Sequence, residues 1–226
     1  MSKIRKPEGG AFRANCRDCP RLARFLDQIK RDRPDYFARP VPPFGDANAK
    51  LLIVGLAPGM NGANRTGRPF TGDHSGILLF QTLYRFGFAS KPVATDADDG
   101  LRLIGCRITN AVKCLPPKNR PRHDELSRCN KYLAFELKAM SEGSAVLALG
   151  RIAHQAVLMA LKLRNKDFTF THGAAHALPV GITLYDSYHC SRYNIQTKRL
   201  NFRMFEKIFT RICRQFAMQN ETLCLA

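Results

Sequence analysis

Four cysteines and one glycine-rich loop hold the residue types best able to do chemistry in this chain. Cys16-Arg17-Asp18-Cys19 presents two thiols near enough to share one metal ion or cluster. Cys114 and Cys129, with fourteen residues between them, supply two more. Four thiolates suit tetrahedral zinc or an iron–sulfur cluster, and spacing alone does not separate the two. A redox pair is the weaker reading of Cys16 and Cys19, because thioredoxin-like motifs follow a strand and this one does not. Cys106, Cys190, Cys213 and Cys224 have no partner at ligand spacing and read as core or surface thiols.

The loop runs from Gly55 to Asp73, after the apolar run Leu51-Leu52-Ile53-Val54 and before a segment with helical spacing. Its glycines let the backbone approach a ligand closely, and the helix start beyond it favours an anion. Arg65, Arg68 and Phe70 lie within it, and Asp73 is its single carboxylate. That mixture points to a planar, phosphate-bearing ligand handled beside one acid. The loop has neither the G-x-G-x-x-G nor the Gly-Lys-Ser/Thr spacing of nucleotide loops. Asp73 also reads as a helix N-cap ahead of Ser75, and Phe70 as a core aromatic. A second loop, Ser187-Tyr188-His189-Cys190-Ser191-Arg192-Tyr193-Asn194, follows a strand and contributes a solitary histidine.

The elements that must position these residues alternate. Apolar runs predict strands at 51–56, within 103–112, at 145–149 and at 182–185. Helical spacing predicts a short helix through Leu22, Phe25, Leu26 and Ile29, and further helices at 77–88, 123–140, 151–163 and 201–218. Residues 33–46 are proline-rich and read as an extended connector. Residues 96–100 form an acidic turn, and 113–121 a rigid basic loop. Strands alternating with helices imply one α/β domain spanning 1–226, its parallel sheet covered on both faces, with residues 1–15 a flexible tail.

The chain has 226 residues and a net charge of +18, from 36 Lys and Arg against 18 Asp and Glu. That imbalance argues for a polyanionic partner, nucleic acid first. No apolar run approaches the ~20 residues that span a bilayer, and no basic amphipathic helix marks a membrane partner. The amino terminus lacks an apolar core behind its charges, so the expected location is cytoplasmic, associated with the nucleoid through DNA.

Four stretches in order resemble the type B (fifth-family) uracil-DNA glycosylases: Cys16-Arg17-Asp18-Cys19-Pro20-Arg21-Leu22, the loop Gly55–Asp73, Thr109-Asn110-Ala111-Val112-Lys113-Cys114-Leu115-Pro116-Pro117-Lys118-Asn119, and Ser187–Asn194. The resemblance implies a three-layer α/β/α fold around a four-stranded parallel sheet. It implies a structural [4Fe-4S] cluster on Cys16, Cys19, Cys114 and Cys129. It also implies hydrolytic excision of uracil, with hypoxanthine and other deaminated bases in prospect, by a monomer acting on double-stranded and also single-stranded DNA. The sequence departs from the pattern in three places. Leu56 stands where the related fourth family has Glu, Met60-Asn61 where relatives have a small residue and His, and Ile195 and Lys198 interrupt the last motif.

On that resemblance Asp73 faces the sugar and orients water, while His189 donates to the departing base. Phe70 stacks on the flipped ring and Asn110 reads its edge, with Gly55, Ala57 and Asn61 completing the base pocket. Arg65, Arg68, Arg192, Asn194 and Arg199 fall to phosphates or to the gap left in the duplex. With no lysine placed as a Schiff-base nucleophile, a lyase step is not expected. The alternatives are a non-catalytic nucleic-acid-binding iron–sulfur protein of the same fold and, against the charge, a hydrolase of free nucleosides.

Overall fold

The computed structural model describes residues 11–219 and 224. In chain order the elements are α1 (Pro20–Asp32), β1 (Phe44–Gly45), β2 (Leu51–Gly55), α2 (Ala63–Thr66), α3 (His74–Arg85), β3 (Cys106–Asn110), α4 (His123–Lys138), β4 (Ala145–Leu149), α5 (Arg151–Ala160), β5 (Ala175–Ala177), β6 (Thr183–Ser187), α6 (Arg192–Gln196) and α7 (Phe202–Ala217). Short 3-10 turns occupy Pro117–Asn119 and Asn165–Asp167.

β2 and β4 are fully buried along their length, as expected of strands covered on both faces. Their side chains alternate between two cores. Leu51, Ile53, Ala145 and Leu147 point to the side covered by α3 and α7, where Leu79, Leu83, Phe205, Phe209 and Phe216 pack. Leu52, Val54, Val146 and Ala148 point to the other, against Leu133 and Leu137 of α4 and Ala153, Ala156 and Val157 of α5. Each fully buried Leu, Ile or Phe on these faces is worth about 1.5–3 kcal/mol. The three-layer α/β/α arrangement follows from that alternation.

The sheet has six strands in the order β1-β3-β2-β4-β6-β5. The four central strands are parallel, as the sequence predicts. Two short antiparallel edges extend it: β1 on β3 and β5 on β6. Both lie in stretches of two or three residues, too short to carry an alternating pattern that a sequence reading can detect. From β2 the chain moves outward to β3, and from β4 it moves the opposite way to β6. That reversal opens a crevice at the carboxyl ends of the parallel strands, where open α/β sheets bind ligands.

Two further expectations are corrected. The described part of the 1–15 tail is anchored, because the Phe12 ring packs edge-on against Tyr132 and Arg13 pairs with Asp18; residues 1–10 lie outside the described residues. Cys213 and Cys224 are joined in a disulfide rather than free.

Candidate active site

A cleft of about 530 Å³ opens at the carboxyl end of the sheet. It is lined by the loop after β2 (Leu56, Ala57, Gly59 to Ala63, Phe70), the start of α3 (Asp73 to Ser75), Asn110 at the end of β3, Asn119, and the loop after β6 (His189, Ser191, Arg192). Three of the four predicted motifs therefore meet in one cavity.

Glycine is required where this loop closes on itself. A Cβ on Gly55 would lie 2.4 Å from Asn110 Oδ1 and 2.7 Å from Phe70 Cζ, and one on Gly62 would lie 2.3 Å from Asp73 Oδ2. Gly55 is not itself a lining residue; its bare backbone lets the Asn110 and Phe70 side chains converge behind the cleft. Phe70 is 7% exposed and has a left-handed backbone with φ of 56°. Its ring belongs to the core below while facing His189, ring centroids 6.0 Å apart and 30° from coplanar. Phe70 is thus a core aromatic that also lines the cleft.

Asp73 likewise has two surroundings. It is the N-cap of α3, its Oδ1 accepting the Gly76 N–H at 3.2 Å. Its Oδ2 turns towards Gly59 and Gly62 in the cleft wall. Burial raises its pKa, while the N–H groups of Gly76 and Ser75 and nearby His74 pull it back. Asn110 is 3% exposed, and its Oδ1 has no hydrogen-bond partner. A buried orphan acceptor is costly and points to a ligand that donates to it. His189 is desolvated in the opposite wall, which lowers its pKa from 6.5 to about 4, so the ring is neutral at physiological pH. A neutral imidazole remains a hydrogen-bond donor through one nitrogen.

The flanking polar residues divide. Arg192 is exposed at the mouth. Arg65 is half-buried, its Nε donating to the Asn61 carbonyl at 2.9 Å, and Asn61 Oδ1 accepts from Tyr36 Oη at 3.0 Å. Asn194 Nδ2 donates to the His189 carbonyl at 2.8 Å, so it braces the loop after β6 rather than standing free on the rim. The Arg199 guanidinium lies over the Tyr188 ring at 4.5 Å. Arg68 is not a DNA-facing residue. It is 4% exposed, forks onto Asp99 at 2.9 and 2.5 Å, donates to Thr71 Oγ1 and covers the Phe44 ring. The acidic turn that supplies Asp99 is distant in sequence, so the pairing was invisible there. The pair in turn holds the Asp99 carboxyl well below its usual range.

The cleft also contains residues outside the main predicted set, among them His74, a spare candidate at sequence level because it adjoins Asp73. Met60 and Ser191 line it, His74 turns a buried, unpartnered Nδ1 within it, and Asn119 reaches it from the proline loop with φ of 54°. Asn119 was the closing residue of a recognised motif, and its left-handed backbone is the kind of feature asparagine tolerates.

Behind the cleft, Cys16, Cys19, Cys114 and Cys129 line one small cavity with Leu22, Val112 and Tyr132. Cys16 and Cys19 precede α1, Cys114 follows β3, and Cys129 lies on α4 with its sulfur accepting the Lys113 N–H at 3.3 Å. All four are free thiols. The donor set is all-thiol, which suits a zinc ion or an iron–sulfur group.

The family model for the uracil DNA glycosylase superfamily matches residues 42–213. The Type-5 uracil-DNA glycosylase of Thermus thermophilus is 47% identical over 199 residues, covering 85% of this chain and 90% of that protein. The Type-5 uracil-DNA glycosylase of Pyrobaculum aerophilum is 42% identical over 201 residues, 87% of each chain. A more distant match, the Type-4 uracil-DNA glycosylase of Archaeoglobus fulgidus, is 36% identical over 130 residues, 57% of this chain and 56% of that one.

Proposed function

The chain belongs to the uracil DNA glycosylase superfamily, and from that premise we propose that it flips uracil out of DNA and hydrolyses the bond between base and sugar. The observation that carries this reading is the convergence of Asp73, Asn110, His189 and Phe70 on one cleft that is closed by glycine contacts.

The flipped ring stacks on Phe70, an interaction worth ~1–3 kcal/mol. The orphan Asn110 Oδ1 accepts the imide N–H that distinguishes uracil from a base without a donor at that position. As the glycosidic bond breaks, positive charge grows on the sugar and negative charge on the base. Asp73 Oδ2, held by the α3 amino terminus through its sister oxygen, faces the sugar and orients the attacking water. Neutral His189 donates to the base oxygen where the negative charge collects. With Leu56 in place of an acid, the burden of carboxylate chemistry falls on Asp73. No lysine lines the cleft among the described residues, which supports a glycosylase without a lyase step.

Deaminated purines such as hypoxanthine are included in the proposal as secondary substrates. The partner is double-stranded DNA, with single strands also accepted, and the net charge of +18 supports phosphate-led binding. Arg192 at the mouth and half-buried Arg65 are the proposed phosphate contacts. Action as a monomer is part of the same proposal. No described helix is long and apolar enough to cross a membrane. Cys16, Cys19, Cys114 and Cys129 are proposed to hold a [4Fe-4S] cluster. Such a group, when bound, acts as a cross-link between α1, the loop after β3 and α4 rather than in the chemistry.

An end-labelled duplex with a single uracil, incubated with the protein and then cleaved at abasic sites with alkali, tests the reaction; a hypoxanthine duplex runs beside it. Strand scission at uracil is expected, and Asp73→Asn, which keeps an N-cap, should lose at least about 100-fold in single-turnover rate. No scission with either lesion would leave a DNA-binding protein without the activity. Full activity in Asp73→Asn would remove that residue from the mechanism. A colourless protein with stoichiometric zinc in the cysteine site would overturn the cluster.

A further inference from the structure

A second side-chain cluster lies on the α5 side of β6 and takes no part in the proposed chemistry. It joins His154 on α5, His176 on β5 and Asp186 on β6. His154 and Asp186 are fully buried, and the His176 side chain is 16% exposed. His154 Nδ1 stands 2.7 Å from Asp186 Oδ1, and His176 Nε2 stands 3.1 Å from Oδ2, which also accepts the Thr171 N–H at 3.3 Å. One ligand atom from each of the three residues lies within 4.8 Å of the others.

The other nitrogen of His154 decides what this arrangement means. Nε2 lies 2.9 Å from the Phe168 carbonyl oxygen. A carbonyl only accepts, so Nε2 carries the ring hydrogen, and a neutral imidazole then has a lone pair on Nδ1. That lone pair points at a carboxylate oxygen in a dry interior. The contact is repulsive unless something positive sits between the two, either a proton or a metal ion.

We propose that His154 Nδ1, His176 Nε2 and the Asp186 carboxylate bind a zinc-class divalent ion, with the fourth position left to water. Two imidazoles and one carboxylate suit zinc and its neighbours, whereas calcium and magnesium prefer all-oxygen shells. The Phe168 carbonyl supplies the orienting bond that a metal-bound histidine makes through its remote N–H. Bonds of ~2.0–2.1 Å would set tetrahedral ligand atoms about 3.3 Å apart. The two close pairs therefore have to open by about 0.2–0.6 Å, a side-chain adjustment. An ion here would tie α5 and the edge strand β5 to β6 only three residues before His189. The segment before β5 already touches the same loop, His172 stacking on Tyr188 at 4.8 Å and accepting its N–H at 3.1 Å.

The test uses the full protein with its iron content measured. The protein is stripped with a chelator, dialysed against zinc and then against metal-free buffer, and zinc, iron and melting temperature are recorded. The expected result is about one zinc per chain in addition to iron, with a raised melting temperature. His176→Gln keeps a donor for Asp186 while removing the imidazole, so it should lose the zinc and retain the iron. Cobalt in place of zinc should give visible ligand-field bands without the intense near-ultraviolet band of thiolate ligation. Zinc held equally by His176→Gln, a thiolate band in the cobalt spectrum, or no zinc held by the unmodified protein would each overturn the assignment. The last of these would leave a proton between His154 and Asp186.

Discussion

Replacing Gly55 by alanine adds a single methyl group at a crowded point behind the cleft. Its carbon would sit 2.4 Å from Asn110 Oδ1 and 2.7 to 2.8 Å from two Phe70 ring atoms, where ordinary contact begins near 3.4 Å. The amide would have to retreat by about 1 Å and the ring by about 0.7 Å, both away from the base, if contact distances of this kind are to be restored. Gly55 ends β2 and pairs with Asn110 in register, so the backbone cannot move aside to absorb the strain. Displacement of a positioning group by 1 Å costs on the order of 100-fold in rate, or about 2.7 kcal/mol of transition-state stabilisation. Overpacking should separately lower global stability by about 1–3 kcal/mol. The assay is single-turnover excision from a uracil duplex with protein in excess, well below the melting temperature. Affinity for an undamaged duplex, which reads the phosphate contacts alone, serves as the control. A rate loss near 100-fold with duplex affinity within a few-fold is expected. Uracil excision within threefold of the unmodified rate, in a folded variant, would refute the claim that Asn110 and Phe70 form the reading surface.

Burial holds the His189 pKa at about 4 against an ordinary value of 6.5. Between those values the unfolded chain binds a proton that the folded chain refuses, so stability should rise with pH from about 4 to 6.5 and gain nothing more from this group above. Urea melts across that window should show a shallower slope for His189→Gln, and identical slopes would contradict the assignment. Arg68→Ala leaves the partly buried Asp99 without its guanidinium partner and should cost about 1–3 kcal/mol in stability. Its binding to duplex DNA below the melting temperature should be unchanged, and a selective loss of DNA affinity would restore Arg68 to the phosphate contacts. For Arg192→Ala the expected change is in the salt dependence of duplex binding, a slope of log affinity against log salt lower by about 1. An unaltered slope would move Arg192 off the phosphates.

Much of the layer arrangement was determined by local sequence. The runs that become β2 and β4 are apolar throughout, which only a sheet covered on both faces requires, while the face that α7 covers was decided by tertiary packing. The edge strands β1 and β5 were not legible, because two- and three-residue strands have no periodicity and exist only where a neighbour offers its hydrogen bonds. The same division runs through the site. Residue type and motif order singled out Asp73, Phe70, Asn110 and His189, since few other side chains do their chemistry. Whether Asp73 caps a helix or faces the cleft was a choice at sequence level. In three dimensions its two oxygens do one job each. Arg68 shows the limit most plainly. An arginine in a glycine-rich loop looks like a phosphate fork until tertiary folding brings Asp99 within 2.5 Å. Long-range pairing is set by where chain segments meet, and no local window contains that. The His154–His176–Asp186 cluster has the same origin: three residues spread from position 154 to 186, on three elements, brought to one point by strand order and by the packing of α5 on the sheet.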